Sequence, residues 1–250
     1  MKTKSTLLTF LLVAILTNLL FSQTDSIKTG SPASAMKMTD KFNYKKSTAI
    51  NVLYAIPVGE FGKKSDEGGY ANPGWGVSFD SRNHLALGFS LVSYSSYCWI
   101  NLDSKAMSER MTSDLGLRTV VDGGQHRPFF TTLGLSKHFY VTPGVQVGVS
   151  ATVGVLYNSF KAFQLTIYNT NEDVIYSDYL RFDSDFAFAY GFSSDINVFL
   201  IKDILALHFE ARYNTAKTDT YLRSNYFDPI KTYQKMQFFN LNLGMVFFSK

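Results

Sequence analysis

The chain has 250 residues, of which 46% are hydrophobic, 16% aromatic and 18% charged. That length admits one or two soluble domains or a single barrel, and a formal net charge of +4 gives no ground for a nucleic-acid partner. Cys98 is the only cysteine, which excludes an internal disulfide, so an exported chain of this kind must draw its stability from elsewhere.

Residues 1–22 read as a secretory signal peptide. Lys2 and Lys4 form the positive start, Leu7 to Leu20 the apolar core, and Ser22 a small residue before Gln23. Leu20 departs from the small-x-small pattern usual before a cut. The apolar run is short for a membrane span, which speaks against an uncleaved anchor. No cysteine lies near the cut, so a lipoprotein anchor is excluded. Removing Lys2 and Lys4 takes the basic count from 24 to 22 against 20 acidic residues, a nearly neutral mature chain. Residues 23–47 are polar and without periodicity, the composition of a flexible leader.

From residue 48 to 250 eight segments alternate with period two, the spacing that sends successive side chains to opposite faces of a strand. They begin near Ala49–Ile56, then Trp75–Asp80, and a third starts at Leu85 with Leu85, Leu87, Phe89 and Leu91 on one face. The fourth is Phe129–Tyr140. The fifth, Gly144–Tyr157, is the cleanest: Val145, Val147, Val149, Ala151, Val153 and Val155 alternate with Gln146, Gly148, Ser150, Thr152, Gly154 and Leu156. Phe186–Leu200, Leu205 to about Asn214, and Phe238–Phe248 complete the set. A second face this small and uncharged suits the crowded inside of a narrow barrel. The valine face then points outward, where it needs lipid. No other window holds enough consecutive apolar residues for a helical span.

The connections carry a second signal. Ser81–His84, Thr142–Gly144 and Lys202–Asp203 read as tight turns. Between them lie long polar stretches at Val58–Gly74, Asn101–Pro128, Ser159–Asp185 and Thr215–Gln237. Long and short connections therefore alternate strictly, the pattern of a transmembrane β-barrel with short periplasmic turns and long extracellular loops. The predicted fold is all-β: an eight-stranded antiparallel up-and-down transmembrane barrel with both termini at the short-turn side.

Charge sorts to one face. The apolar faces of the eight segments carry only Lys137, close to the Pro143-Gly144 turn, where its long stem can take its charge to the interface. The polar faces carry Asp80, Asp195, His208, Glu210 and Arg212, a candidate ion-pair network in the lumen. Two readings of it stand open: a gated or narrow conduit for ions or small solutes, or a packed polar core that satisfies buried charge. Aromatic residues gather at segment ends, with Trp75, Tyr97, Trp99, Phe129, Tyr157 and Tyr213 expected near the outer rim and Phe139 and Phe247 near the inner one. Such bands are the interfacial girdles of membrane barrels.

With these features the region 48–250 resembles the small outer-membrane β-barrel family, which includes OmpX-like and OmpA-like eight-stranded barrels. Pro57-Val58-Gly59-Glu60-Phe61-Gly62 followed by Gly68-Gly69-Tyr70-Ala71-Asn72-Pro73-Gly74 resembles the first-loop pattern of the outer membrane protein beta-barrel domain. Leu243-Gly244-Met245-Val246-Phe247-Phe248 resembles the closing strand recognised by barrel-assembly machinery, although the chain finishes Ser249-Lys250 rather than on an aromatic. The resemblance implies the outer membrane of a Gram-negative cell envelope and no defined chemical activity.

No phosphate-binding loop, dinucleotide fingerprint, zinc-spaced Cys/His set or nucleophile elbow occurs, and Asp122-Gly123-Gly124 reads as a turn. His84, His126, His138 and His208 sit in no catalytic constellation, though His138 and His208 fall on the inward face. The expectation is therefore no enzyme, no cofactor and no metal. The expected partners are the lipid bilayer, lipopolysaccharide and the assembly machinery, with the barrel a monomer. Lys105, Arg110, Arg118, Arg127, Lys161, Arg181, Lys217 and Arg223 in the long connections could pair with lipopolysaccharide phosphates, but acidic residues are interspersed among them. Three functions follow: a barrel with a structural or surface-interaction role and a lumen plugged by polar side chains; a narrow porin-like channel; and a secreted lipocalin-like barrel with its apolar face turned inward.

Overall fold

In the computed structural model, residues 44–65, 68–85 and 87–250 are described. The expected signal peptide and the leader up to residue 43 lie outside the described residues. Nine strands follow: β1 (Lys46–Pro57), β2 (Gly74–His84), β3 (Phe89–Asn101), β4 (Thr119–Thr142), β5 (Val145–Tyr168), β6 (Val174–Phe182), β7 (Asp185–Ile201), β8 (Leu205–Arg223) and β9 (Ile230–Ser249). Leaving β6 aside, each strand pairs antiparallel with its successor. β9 then returns to β1 from Lys46↔Ser249 to Pro57↔Phe238, so eight strands close an up-and-down transmembrane barrel.

The faces sort by size and polarity. In β5, Val149 and Val153 are 52% and 54% exposed, whereas Ser150 and Thr152 are 7% and 3% exposed. In β7, Phe186, Phe188 and Phe192 point out while Ala187, Ala189, Asp195 and Asn197 are buried. A lipocalin-like barrel requires the reverse, and this orientation overturns it. Small inward residues are a steric necessity, because eight strands enclose only enough room for side chains. A Cβ on Gly148 would run into the His138 ring and lie 2.7 Å from Asp195 Oδ1.

Four expectations need correction. The second strand runs on through Ser81–His84, and the reversal comes after it, with Leu87 at φ 57° and Gly88 at φ 75°. Leu85 and Leu87 thus belong to the turn, and β3 begins at Phe89. The expected leader overlaps the fold: β1 begins at Lys46, and Tyr44 is buried against Ala49, Ala206, Val246 and Phe248. Two of the long polar stretches, Ser159–Asp185 and Thr215–Gln237, are largely strand, and the end of Asn101–Pro128 is the start of β4. β4 and β5 have 24 residues each, where a membrane-crossing strand needs only about 9–11. Their excess stands beyond the membrane at the long-connection end, as do the outer halves of β8 and β9. Asp122-Gly123-Gly124 is inside β4 rather than a turn, with φ of 82° and 85° at the two glycines.

The extensions build a headpiece with its own apolar centre. Tyr70, Leu102, Val121, Phe163, Leu165 and Leu180 are buried together. There β6 takes over the edge of β5 that β7 leaves at Asn158↔Asp185, pairing from Phe163↔Leu180 to Tyr168↔Val174. Its end reaches β8 through Arg181↔Arg223 and Phe182↔Leu222. A one-turn helix, α1 (Gly59–Gly62), places Phe61 inside the barrel mouth. A second, α2 (Ser104–Leu115), lays Ala106, Met107 and Met111 on the headpiece core. Asp103 caps α2 by accepting from the Ala106 amide at 3.1 Å, and left-handed Gly116 ends it at φ 65°. Ser108 Oγ then accepts from the Val121 amide at 2.8 Å, tying the helix to β4.

Lys137 is the test of sidedness, as a charge on the outward face. Its ammonium bonds the Leu87 carbonyl in the turn after β2 and lies 4.2 Å from the Phe89 ring centroid. Its charge therefore reaches the rim while its stem covers apolar surface.

Val153→Arg places a charge on the lipid face and should cost about 2–4 kcal/mol near mid-membrane, read from urea titration of folding into lipid vesicles; an unchanged midpoint would mean Val153 does not face lipid. Asp103→Ala should cost about 1 kcal/mol of helix stability, seen as faster amide exchange in α2 with the barrel unaffected. Hydrogen bonds from Lys64 and from the Ala106 amide hold the Asp103 carboxyl below the usual aspartate range. Its contribution is therefore complete above the unfolded aspartate value and is lost as pH falls through the lowered folded value, so α2 exchange protection in the wild type should weaken only in strong acid.

Candidate functional site

The inward faces stack in layers. At the short-turn end Tyr44, Ala49, Ala206, Val246 and Phe248 form an apolar floor with Phe199 packed on it. At the other end Leu53, Phe61, Ile100, Phe130, Leu156, Met236 and Phe238 form an apolar ceiling. Between them lies a buried polar layer. It contains all five residues singled out in the sequence: Asp80, Asp195, His208, Glu210 and Arg212, each 3% exposed or less. The aromatic positions fall on the outward face. Trp75 packs on Tyr54 at 4.8 Å, Tyr97 on Trp99 at 4.9 Å, and Tyr157 on Phe186 at 4.8 Å. Tyr213 accepts from Gln237 Nε2 at 2.5 Å, and Phe247 is exposed beside the floor.

The polar layer divides into two linked clusters. In the lower one Arg82 Nη1 donates to Asp195 Oδ2 at 3.2 Å and to His138 Nε2 at 2.7 Å. Asn197 Nδ2 donates to the same aspartate oxygen at 3.2 Å and to Gln146 Oε1 at 3.1 Å. Gln146 donates in turn to Tyr44 Oη at 2.7 Å, tying this cluster to the floor. In the upper one Arg212 Nη2 donates to Glu210 Oε1 at 2.8 Å, and Nη1 to Thr152 Oγ1 at 3.2 Å. The Arg212 guanidinium stacks 3.8 Å from the Tyr94 ring centroid. Glu210 Oε2 accepts from Asn242 Nδ2 at 2.7 Å, and a chain of Ser78 and Asn51 continues across to β1.

Arg82, His138, Gln146 and Asn197 were not part of the expected network. Arg82 escapes the alternation because Ser81–His84 has the composition of a turn, although it stands two residues past Asp80 on the same face. Asn197 and Gln146 are uncharged and gave no sign of a role beyond alternation. Of the remaining histidines, His126 sits under the headpiece between Phe61 and Phe160, and His84 bonds Ser47 and Ser90 near the floor.

In a low-dielectric interior, removing one member of an ion pair strands the other. Arg82→Met and Asp195→Leu should each destabilise the barrel by about 3–5 kcal/mol, while the double substitution should cost clearly less than their sum. Additive losses in a double-mutant cycle would mean the two groups are not coupled.

No family model matches the chain, and no curated protein sequence does. Solved structures that are similar in shape include the outer membrane protein OprG from Pseudomonas aeruginosa, at 11% identity and a TM-score of 0.48 over 83% of this chain and 97% of that one. Neisserial surface protein A is similar at 9% identity and 0.44, covering 81% and 96%. Ail, the attachment invasion locus protein of Yersinia pestis, is similar at 15% and 0.43, covering 82% and 99%. With TM-scores below 0.5, none of these likenesses reaches past general shape, and the barrel fold stands on the strand pairing of the chain itself.

Proposed function

We propose that this chain is a monomeric integral outer-membrane barrel, without enzymatic activity, whose lumen is plugged and whose working surface is the headpiece it holds outside the cell. The observation that carries this reading is the filling of the barrel: an apolar floor, a bonded polar layer and an apolar ceiling occupy the lumen in sequence. A conduit needs a continuous wet path, and Phe130, Phe238 and Phe61 cross it at the ceiling. The strand extensions support the second half of the proposal. They would be wasted in a passive pore but give a rigid stand for exposed side chains such as Tyr179, Tyr226, Phe227 and Tyr233.

The outward apolar belt faces lipid in this reading, and β9 serves as the strand read by the assembly machinery. Lipopolysaccharide remains a partner for the outer rim, but its cationic counterpart is reduced. Arg110, Arg118 and Arg223 bond Asp114, Glu172 and Asp183 at 3.1, 3.3 and 2.7 Å, Lys105 lies 4.0 Å from Glu109 and Arg127 donates to Gln125 at 2.8 Å, leaving Lys161, Arg181 and Lys217 as the better candidates for phosphate.

Refolded protein in a planar bilayer should give no steady current, and Phe130→Ala with Phe238→Ala should not suffice to open one while the polar layer stays bonded. A stable small conductance in the wild type would replace the plugged barrel by the narrow-channel reading. Detergent-solubilised protein from membrane fractions should migrate differently when boiled and unboiled; recovery in the aqueous fraction without detergent would sink both readings.

A further inference from the structure

We propose that Asp80, His208 and Glu210 bind one divalent transition-metal ion within the barrel. The three come from two strands facing one another across the lumen, Asp80 from β2 and the i, i+2 pair His208 and Glu210 from β8. One donor atom from each lies within 4.8 Å of the other two, and all three side chains are buried. Small side-chain adjustments would bring all three onto an ion with bonds of about 2.0–2.2 Å.

The orientation of His208 is the first independent pointer. Asn197 spends its amide NH2 on Gln146 Oε1 and Asp195 Oδ2, so its Oδ1 must accept. His208 Nδ1 lies 2.7 Å from that oxygen and therefore carries the proton. Nε2 is left as a bare lone pair with no hydrogen-bond partner among the described residues, on a side chain that groups with two carboxylates. A metal-bound histidine is held in the same way, with its far N–H fixed by a carbonyl-type oxygen.

Asp80 is the second. Neither of its carboxylate oxygens makes a hydrogen bond, although the residue is 1% exposed. Its nearest cation is Arg212 Nη2 at 3.8 Å, and that guanidinium is already bonded to Glu210 and Thr152.

A divalent cation answers both facts together. One imidazole nitrogen with two carboxylates suits Zn2+, Fe2+ or Mn2+ better than Ca2+, which takes six to eight oxygen ligands, or Mg2+, which keeps several waters. Glu210 is held in place by Arg212 on Oε1 and Asn242 on Oε2, and each oxygen keeps a second lone pair for an ion. The floor and ceiling close both ends of the layer, so the ion enters while the barrel is still open and is trapped as β9 meets β1. This role is structural and independent of any partner of the headpiece.

The rival to a metal is a proton shared between Asp80 and His208, and one experiment separates them. The full chain is refolded in detergent with ZnCl2 or with EDTA, and only protein showing the folded gel mobility is analysed. About one zinc per chain should survive dialysis against EDTA, and zinc-refolded protein should melt higher than EDTA-refolded protein. Asp80→Asn and His208→Gln should each lower the retained metal at least tenfold and abolish the difference in melting. Co2+ in place of Zn2+ should give visible d–d bands in the wild type, a readout that needs no variant. Folded wild type that retains no zinc and melts identically under both conditions would overturn the proposal. Equal zinc retention in wild type and both variants would overturn it too, as would an Asp80→Asn barrel that melts higher than the zinc-refolded wild type.

Discussion

The membrane offers the backbone no water, so every inter-strand N–H and C=O must find a partner within the chain. The seam between β1 and β9 meets that demand, because it removes the two edges an open sheet would expose. Closure at eight strands then dictates the interior. A ring this narrow has room for side chains and little else, which is why Gly148 must lack a Cβ beside His138 and why the face of β5 shrinks to Gly, Ser and Thr. The packed lumen is thus a consequence of closure, and so is the low exposure of its charges.

The polar layer also guards the alignment of the strands. A slip of one residue between neighbours reverses inside and outside for a whole strand. In β8 that slip would drive Glu210 and Arg212 into hydrocarbon and pull Phe209 and Ala211 inward. In β2 it would expel Asp80 and Arg82. Buried ion pairs contribute little net stability compared with apolar packing, but here they make the wrong registers far less favourable than the right one. The Arg82–Asp195 contact couples β2 to β7 across the ring, and the Glu210–Asn242 contact couples β8 to its neighbour β9. Fixing two strands against partners on different sides of the ring constrains the rest.

The barrel was legible in the sequence wherever the two faces meet different media. Val149 against Ser150, or Phe192 against Ser193, is a contrast that only a lipid-facing strand with a crowded inner face produces. The contrast vanishes above the membrane, where both faces meet water or a small local core. Thr218 and Thr220 are inward on β8 and Lys217 and Asp219 outward, yet all four are polar, so hydrophobic alternation could not distinguish strand from loop there. The same blindness shortened β2, since Ser81, Arg82 and Asn83 resemble turn residues although the alternation through Asp80 and Arg82 continues unbroken. The lumen charges were visible as a set, but their division into an Arg82–Asp195 cluster and an Arg212–Glu210 cluster depends on the stagger between distant strands, which no single strand encodes.

The apolar centre of the headpiece shares no residue with the ceiling below it: Phe163, Leu165 and Leu180 pack above, Phe130 and Phe238 below. The outer portion can therefore drift in sequence without disturbing insertion. Substitutions on the exposed faces of β6, β8 and β9 are screened only by that upper nucleus.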